Sequence, residues 1–194
     1  MATRHGDDWQ VYDEAGRRKY LTTAELARFL EAADCCAPLM QALCYVLAYT
    51  GCRISEALAL TTDQLDRDGM RLTFKTLKRR RQVFRSVPIP ATIMHLLCAL
   101  PLSADGRFWL MHRATAWRGI KAAMARAGIV GPMACPKGLR HGFGMRAAGR
   151  DVPTNLIQRW MGHASPVTTA IYLDAAGAEE RQFASRMWAR MPSG

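Results

Sequence analysis

A charge-free apolar stretch, residues 35–52, constrains the fold of this chain more than any other feature. Its length lies at the lower limit for a helix that crosses a membrane. Pro38 interrupts the stretch near its beginning, and Arg53 follows it directly. We therefore expect a central helix that is buried on all sides rather than a membrane span, with Tyr45 and Tyr49 in the core.

Helical signals dominate the rest of the chain. Thr22, with Glu25 three positions later, forms a capping-box pattern that predicts a helix to about residue 33. Apolar spacing, with proline and glycine as boundaries, predicts further helices approximately over residues 38–51, 53–60, 91–100, 115–127, 137 onward, 153–162, 168–173 and 178–191.

One short β-sheet is predicted in the middle of the chain. Residues 70–74 and 82–87 alternate between apolar and polar side chains, which is typical of strands with one buried face. Residues 75–81, mostly Lys and Arg, are predicted to form the tip between the strands, and Pro88 and Pro90 to end the sheet. The predicted fold class is therefore mainly α with a small antiparallel β-sheet (α+β).

The charge balance indicates a polyanionic partner. The 194 residues include 27 Lys and Arg against 16 Asp and Glu, which gives a net charge of +11. An excess of this size favours nucleic acid as the partner, although charge alone identifies no function. The polar, charged start of the chain does not resemble a secretion signal, so we expect a cytoplasmic protein with no membrane partner.

The spacing of cysteines and histidines argues against a metal site. The six cysteines include no C-x-x-C pair, and the five histidines include no pair at zinc-ligand spacing. Most of the cysteines have apolar neighbours in the sequence, so we expect reduced, buried thiols. No metal and no cofactor are predicted.

Four short segments carry the candidate chemistry, and each is ambiguous by itself. They are residues 50–58 (TGCRISEAL), 137–142 (KGLRHG), 160–165 (WMGHAS) and 168–173 (TTAIYL). Taken alone, Arg53 is more simply interpreted as a solvated residue paired with Glu56, and a single histidine or tyrosine as a capping or core residue. Lys137 and Arg140, three positions apart on one helix, repel each other unless an anion binds between them.

Together, these segments resemble the catalytic domain of the tyrosine recombinases, the phage integrase family. The resemblance spans roughly residues 22–191 and is specific, because four separated motifs occur in the family's order. It implies an enzyme that needs neither metal nor ATP and that breaks and rejoins double-stranded DNA through a covalent 3′-phosphotyrosyl intermediate. Site-specific recombination and DNA integration use this chemistry.

The resemblance implies a role for each matching residue. Tyr172 would be the nucleophile, and Arg53 and Arg140 would hold the two non-bridging oxygens of the phosphate. Lys75 would protonate the leaving 5′-oxygen, and His163 would donate a hydrogen bond to the phosphate. Arginine suits this role because its planar fork binds phosphate in a bidentate manner and stabilises the charge that develops during attack.

Two assignments in this resemblance are less direct. The family usually has histidine where this chain has Lys137, and an ammonium group cannot accept the tyrosine proton unless its pKa is depressed. We therefore assign Lys137 to phosphate binding and leave the base open, with His163 as a candidate. Lys78 is the alternative to Lys75 as the general acid. Contacts to the DNA are predicted for the basic run Lys78, Arg79, Arg80 and Arg81.

The length suits a single domain. Residues 1–21 are predicted to form an N-terminal arm, in which residues 9–20 are either a short hairpin or loose chain, and residues 22–194 to form the catalytic domain. No separate N-terminal DNA-binding domain is expected, although most of the family have one, so the chain is either a single-domain recombinase or part of a longer one. The helix over 178–191, with Phe183, Met187 and Trp188, is expected to dock on a neighbouring subunit in a homotetramer on DNA.

Two other functions stay open. A type IB topoisomerase uses the same chemistry as a monomer, and a non-catalytic DNA-binding regulator would explain the net charge equally well. The short chain and the terminal helix argue against the topoisomerase. The alignment of Arg53, Arg140, His163 and Tyr172 argues against the regulator, because binding alone does not need it.

Overall fold

The computed structural model describes residues 10–78, 81–173 and 185. Side chains at the end of the hairpin, residues 77–82, are outside this description. The predicted DNA contacts of residues 78–81 therefore fall on side chains outside the described part of the chain. The predicted C-terminal helix over 178–191 also lies outside it, apart from Ser185.

Helices form most of the described chain. Thr22 caps the first of them through the predicted capping box: its side chain accepts from the backbone N–H of Glu25, and the Glu25 side chain accepts from the backbone N–H of Thr22. The helices are α1 (Thr23–Asp34), α2 (Pro38–Thr50), α3 (Ile54–Leu58), α4 (Ala91–Cys98), α5 (Arg113–Arg126), α6 (Pro136–Ala148), α7 (Thr154–Met161) and α8 (Val167–Ala170). The mainly helical architecture agrees with the prediction.

A three-stranded antiparallel sheet lies between α3 and α4, in the order β1 (Leu65–Asp66), β2 (Arg71–Lys78), β3 (Arg81–Pro88). The short strand β1 was not predicted. The predicted extent of the basic tip, residues 75–81, is wrong because strand pairing continues through it, with Lys75 opposite Phe84 and Thr76 opposite Val83. β-branched residues in register stabilise such an extension, and an exposed strand face tolerates lysine.

Helix α2 lies at the centre of the larger hydrophobic core, with Leu43, Val46 and Leu47 almost completely buried. The prediction that it is buried on all sides is wrong. Tyr49 is 40% exposed, and its ring stacks on the partly exposed ring of Tyr45, one helical turn earlier. The pair forms one solvent-facing stripe, whereas the other residues of α2 from Ala42 to Thr50 are buried. No helix in the described part of the chain is long and apolar enough to cross a membrane.

The prediction of buried thiols holds for only some of the cysteines. Cys44 and Cys52 are buried, and burial raises the pKa of each thiol to about 12. Cys35 and Cys98 are exposed. Apolar neighbours in the sequence did not predict their exposure because Cys35 is the C-cap of α1 and Cys98 ends α4, where the chain reaches the surface.

A second, smaller core supports the end of the described chain. Near the N-terminus the chain turns back on itself through the bridge between Tyr12 and Arg18, which agrees with the hairpin alternative. This turn places Val11 and Tyr20 against residues of α6 and α7, and Tyr172 is buried in the same cluster. The N-terminal hairpin thus helps to enclose a candidate site residue.

At the end of α2, both the backbone conformation and the side-chain packing require glycine at position 51. It has a positive φ of 61°, and a Cβ at this position would lie 2.6 Å from the Phe143 ring. Gly128 has a similar φ of 66° but no atom within 4 Å of such a Cβ. The two positions therefore differ in packing and share the same backbone conformation.

We expect Gly51→Ala to lower the free energy of unfolding by about 2–5 kcal/mol, because it adds steric overlap to backbone strain. Gly128→Ala should cost only the backbone strain, about 1–2 kcal/mol. Urea unfolding of both variants measures the difference. Equal losses would mean that Phe143 moves aside without cost.

Candidate active site

A cleft of about 680 Å³ opens between α3, strand β2 and the loop that joins α7 to α8. Its walls include Arg53 from the start of α3, Lys75 from β2 and His163 from the loop. Three of the predicted site residues therefore line one cleft, although they come from distant parts of the sequence. A guanidinium, an ammonium and an imidazole around one space favour the binding of an anion.

Arg140 lies behind this cleft and connects two helix ends. Its side chain is buried, and its two terminal nitrogens each donate a hydrogen bond of 2.7 Å, to the carbonyls of Gly51 and Met161. Gly51 is the C-cap of α2 and Met161 is the last residue of α7. Carbonyl groups at helix C-termini carry partial negative charge, so they stabilise a buried cation without a carboxylate.

Burial and the nearby charge of Arg53 lower the pKa of Arg140 to about 10. Arg140 therefore remains a cation at neutral pH. Because its carbonyl partners carry only partial charges, the site keeps a net positive field that an incoming anion can neutralise.

Arg53 occupies the N-cap position of α3, directly after the turn at Gly51 and Cys52. One terminal nitrogen donates to Glu56 Oε1 at 3.1 Å, so the simple pairing weighed from the sequence is present. The side chain is still 37% exposed and faces the cleft. The same arginine is thus oriented by a carboxylate and accessible to a ligand.

Glu56 and Arg85 form a buried ion pair that the sequence analysis did not identify. Arg85 donates to the two carboxylate oxygens at 2.6 and 3.1 Å, and its Nε donates to the carbonyl of Trp160 at 2.8 Å. The Thr76 hydroxyl donates to Glu56 at 2.7 Å. This network joins α3, both long strands and the end of α7, which are the elements that carry the cleft residues.

The pair keeps Glu56 ionised inside the protein. Burial opposes ionisation of this carboxyl, but the hydrogen bonds and the charge of Arg85 outweigh it and lower the pKa to about 2. Arg85 could have been found in the sequence because it occupies the core-facing phase of β3, two positions before the buried Val87. A charged residue in that phase indicates a buried partner.

His163 follows Gly162, which ends α7 in the left-handed conformation with a φ of 65°. Its ring is buried, and Nδ1 lies 2.9 Å from the hydroxyl of Thr169 on α8. Burial, with repulsion from Arg140 and Arg53, lowers the pKa of His163 to about 3. The imidazole is therefore neutral at neutral pH and can contribute a hydrogen bond but no charge.

Tyr172 is buried near the charges of Arg140 and Arg53 and does not line the cleft. It is 2% exposed, its ring stacks on that of His163 with 6.0 Å between centroids, and its hydroxyl lies 3.1 Å from Nδ1 of His141. Burial raises the pKa of the phenol to about 12, although the charges of Arg140 and Arg53 act in the opposite direction. The phenol is protonated in this position.

The lysines differ in their relation to the cleft. Lys75 is exposed on β2 and lines it. Lys78 lies three residues closer to the hairpin end, where side chains are outside the described part of the structure. Lys137 is exposed in the first turn of α6, three positions before Arg140, and does not line the cleft. Of Lys75 and Lys137, only Lys75 lines the cleft, which favours it over Lys137 for contact with a ligand bound there.

His141 is a second residue that the sequence analysis did not connect to the site. It directly follows Arg140 and is buried against the Tyr172 ring. In the sequence, the feature that could have indicated a close contact with this helix is Gly144. In the structure, a Cβ at this position would lie 2.6 Å from the Tyr172 ring. A glycine inside a helix often marks such a close approach.

Comparison with known proteins gives a consistent match over most of the chain. Residues 19–179 match the profile of the Phage integrase family. The tyrosine recombinase XerD of Corynebacterium glutamicum is 31% identical over 143 residues, which cover 68% of this chain and 47% of that protein. The chain therefore spans about half the length of this relative.

Solved structures show the same fold at lower sequence identity. The XerH site-specific recombinase, bound to a palindromic difH substrate, superposes with a TM-score of 0.73 at 20% identity, covering 95% of this chain and 63% of that one. The catalytic domain of bacteriophage HP1 integrase superposes with a TM-score of 0.62 at 21% identity, covering 90% of this chain and 98% of that domain.

The contribution of the buried ion pair between Glu56 and Arg85 to the stability of the protein can be tested directly. Glu56→Gln leaves Arg85 without its counter-charge, so we expect the free energy of unfolding to fall by about 3–5 kcal/mol at neutral pH. Asp105→Asn is the matched control, because it removes one member of the exposed pair with Arg107 and should have little effect. Urea unfolding measures both, and a tolerated Glu56→Gln change would show that the pair does not hold the cleft together.

Proposed function

The chain belongs to the phage integrase family, and from this premise we propose that it cleaves and rejoins DNA strands as a site-specific tyrosine recombinase. The observation that carries the proposal is one cleft lined by Arg53, Lys75 and His163, with the Tyr172 ring stacked on that of His163. These groups suit attack on a phosphodiester. The substrate would be double-stranded DNA, which matches the net charge of +11.

In the proposed reaction, the Tyr172 phenolic oxygen attacks the phosphorus of a DNA backbone phosphate. A bond forms between that oxygen and phosphorus, and the bond from phosphorus to the 5′-oxygen breaks. The phenol loses its proton, and the 5′-oxygen gains one. Because the phosphotyrosine ester conserves the energy of the broken bond, a free 5′-hydroxyl can reverse the step without ATP.

We assign charge stabilisation to the two arginines. Negative charge grows on the non-bridging oxygens during attack, and guanidinium groups fixed before the substrate arrives need little reorganisation to stabilise it. Arg140 is fixed by its two carbonyls and Arg53 by Glu56. His163, neutral at the pH of the reaction, would donate one hydrogen bond to the phosphate.

We assign Lys75 as the general acid that protonates the leaving 5′-oxygen, with Lys78 as the alternative. Its place in the cleft wall beside Arg53 supports this. Lys137 is assigned to binding a backbone phosphate, because an exposed ammonium at the start of α6 can contact DNA outside the cleft.

The DNA-binding surface in this proposal includes the hairpin end, residues 78–81, whose Lys and Arg side chains would contact the backbone. The recombinase would act in the cytoplasm as a homotetramer on DNA, with the C-terminal segment, residues 178–191, docking on a neighbouring subunit. The DNA-bound XerH recombinase, whose fold this chain shares, supports a DNA partner.

A nicked duplex that loses its 5′-hydroxyl fragment after cleavage tests the nucleophile. We expect the protein to form a covalent protein–DNA product on this duplex, visible as a band of reduced mobility in a denaturing gel. Tyr172→Phe should abolish the product because no hydroxyl remains to attack phosphorus. Tyr49→Phe, at the exposed tyrosine of α2, should form it normally.

The competing functions give different results in the same assay. A non-catalytic DNA-binding protein would give no covalent band with the unaltered chain. A topoisomerase would give the band and would also relax supercoiled DNA that contains no recombination site.

The general acid is identified by changing the leaving group. A 5′-bridging sulphur leaves as a thiolate and needs no proton, because a thiol is far more acidic than an alcohol. We expect Lys75→Ala to cleave ordinary DNA about 10²–10⁴-fold more slowly and to recover on the sulphur-containing substrate. Lys78→Ala is the matched control, and recovery of that variant instead would transfer the role to Lys78.

A further inference from the structure

The segment that carries Tyr172 is held to the protein by few buried groups. Within residues 164–173, only Thr169 and Tyr172 are buried. Each places its hydroxyl next to Nδ1 of a buried histidine: Thr169 against His163 at 2.9 Å, and Tyr172 against His141 at 3.1 Å. Two histidine–hydroxyl contacts, together with the packing of the Tyr172 ring in the smaller core, therefore hold this segment to the rest of the site.

The contact with His141 is incompatible with attack on DNA. A nucleophile must approach its target atom to about 3–3.5 Å. Tyr172 is 2% exposed and its hydroxyl bonds to a histidine that is 1% exposed, so a phosphate on a duplex cannot reach it there. The phenol has to leave His141 before it can react.

We propose that His141 is a positioning residue that stores the Tyr172 phenol in a withdrawn position, out of the cleft, through the hydrogen bond at Nδ1. This inference rests on the proposed function, because it assumes that Tyr172 is the nucleophile. Breaking the bond is then part of the barrier to cleavage. The stored phenol is also shielded from phosphates that reach the cleft on DNA that is not a substrate.

Gly144 supports the storage position independently. A Cβ at this residue would lie 2.6 Å from two atoms of the Tyr172 ring, so the phenol occupies space that any other side chain would fill. Gly144→Ala should therefore expel the ring by steric overlap without altering His141. Gly144 and His141 act on the same conformation by different means.

Two similar polar substitutions separate the hydrogen bond from general packing. An asparagine amide lies about where Nδ1 of histidine lies, whereas a glutamine amide reaches the position of Nε2. His141→Asn should keep the contact with Tyr172, and His141→Gln should lose it. Comparing the pair keeps burial and polarity nearly constant.

The test measures accessibility of Tyr172 in the DNA-free protein. Each variant is treated with tetranitromethane, which nitrates accessible phenols, and the modified peptides are quantified by mass spectrometry. Tyr49, which is 40% exposed, serves as the internal control in the same molecule. We expect nitration of Tyr172 to rise about fivefold in His141→Gln, the population change that one ordinary hydrogen bond produces. It should rise in Gly144→Ala and stay near the unaltered level in His141→Asn.

A second readout connects storage to the reaction. With saturating DNA in a single turnover, His141→Gln should form the covalent product about fivefold faster than the unaltered chain. Slower formation would overturn the proposal, because it would place His141 in the attack itself. Unchanged nitration of Tyr172 in both His141→Gln and Gly144→Ala would overturn it, as would equal nitration in His141→Asn and His141→Gln.

The two readouts separate this inference from the proposed function. Nitration requires no DNA, so selective exposure of Tyr172 without any covalent product would refute the recombinase and still support the storage contact. A parallel rise at Tyr49 would indicate general loosening and would overturn the role of His141.

Discussion

The site depends on one buried cation, Arg140, and on the helix ends that hold it. Its guanidinium joins the carbonyl of Gly51, the C-cap of α2, to that of Met161, the last residue of α7, so the C-terminal ends of two helices meet at one side chain. Arg53 lies two residues after Gly51 and His163 two residues after Met161, so Arg140 connects the two backbone segments that carry these cleft residues.

The ion pair between Glu56 and Arg85 complements this arrangement by joining α3, the two long strands and the end of α7. It neutralises one arginine completely and leaves Arg53 only partly paired, because the same carboxylate accepts from both. The site therefore contains a structural arginine, a fixed arginine between carbonyls and a ligand-accessible arginine. Their different partners explain how three guanidinium groups coexist within a short distance.

Much of this could be predicted from the sequence, and the failures have physical causes. The capping box at Thr22 was correct because it depends on neighbours in the chain. The burial of Arg85 and the contact of His141 with Tyr172 were missed because each depends on a partner far away in the sequence. The exposed face of α2 at Tyr49 was missed because a charge-free sequence shows only that burial is possible. Whether another element packs over that face depends on the fold. The motifs predicted which residues belong to the candidate site, whereas the contacts and orientation of their side chains became clear only from the fold.

The turn at Gly51 has a consequence for how this protein can change over generations. One residue ends α2, touches the Phe143 ring and supplies a carbonyl to Arg140. Substitution there would disturb helix termination, core packing and the cation together, so no single compensating change could repair all three. Sequence drift should therefore be slow at this turn and faster at the solvent-facing stripe of α2, which begins about half a helical turn away along the same helix.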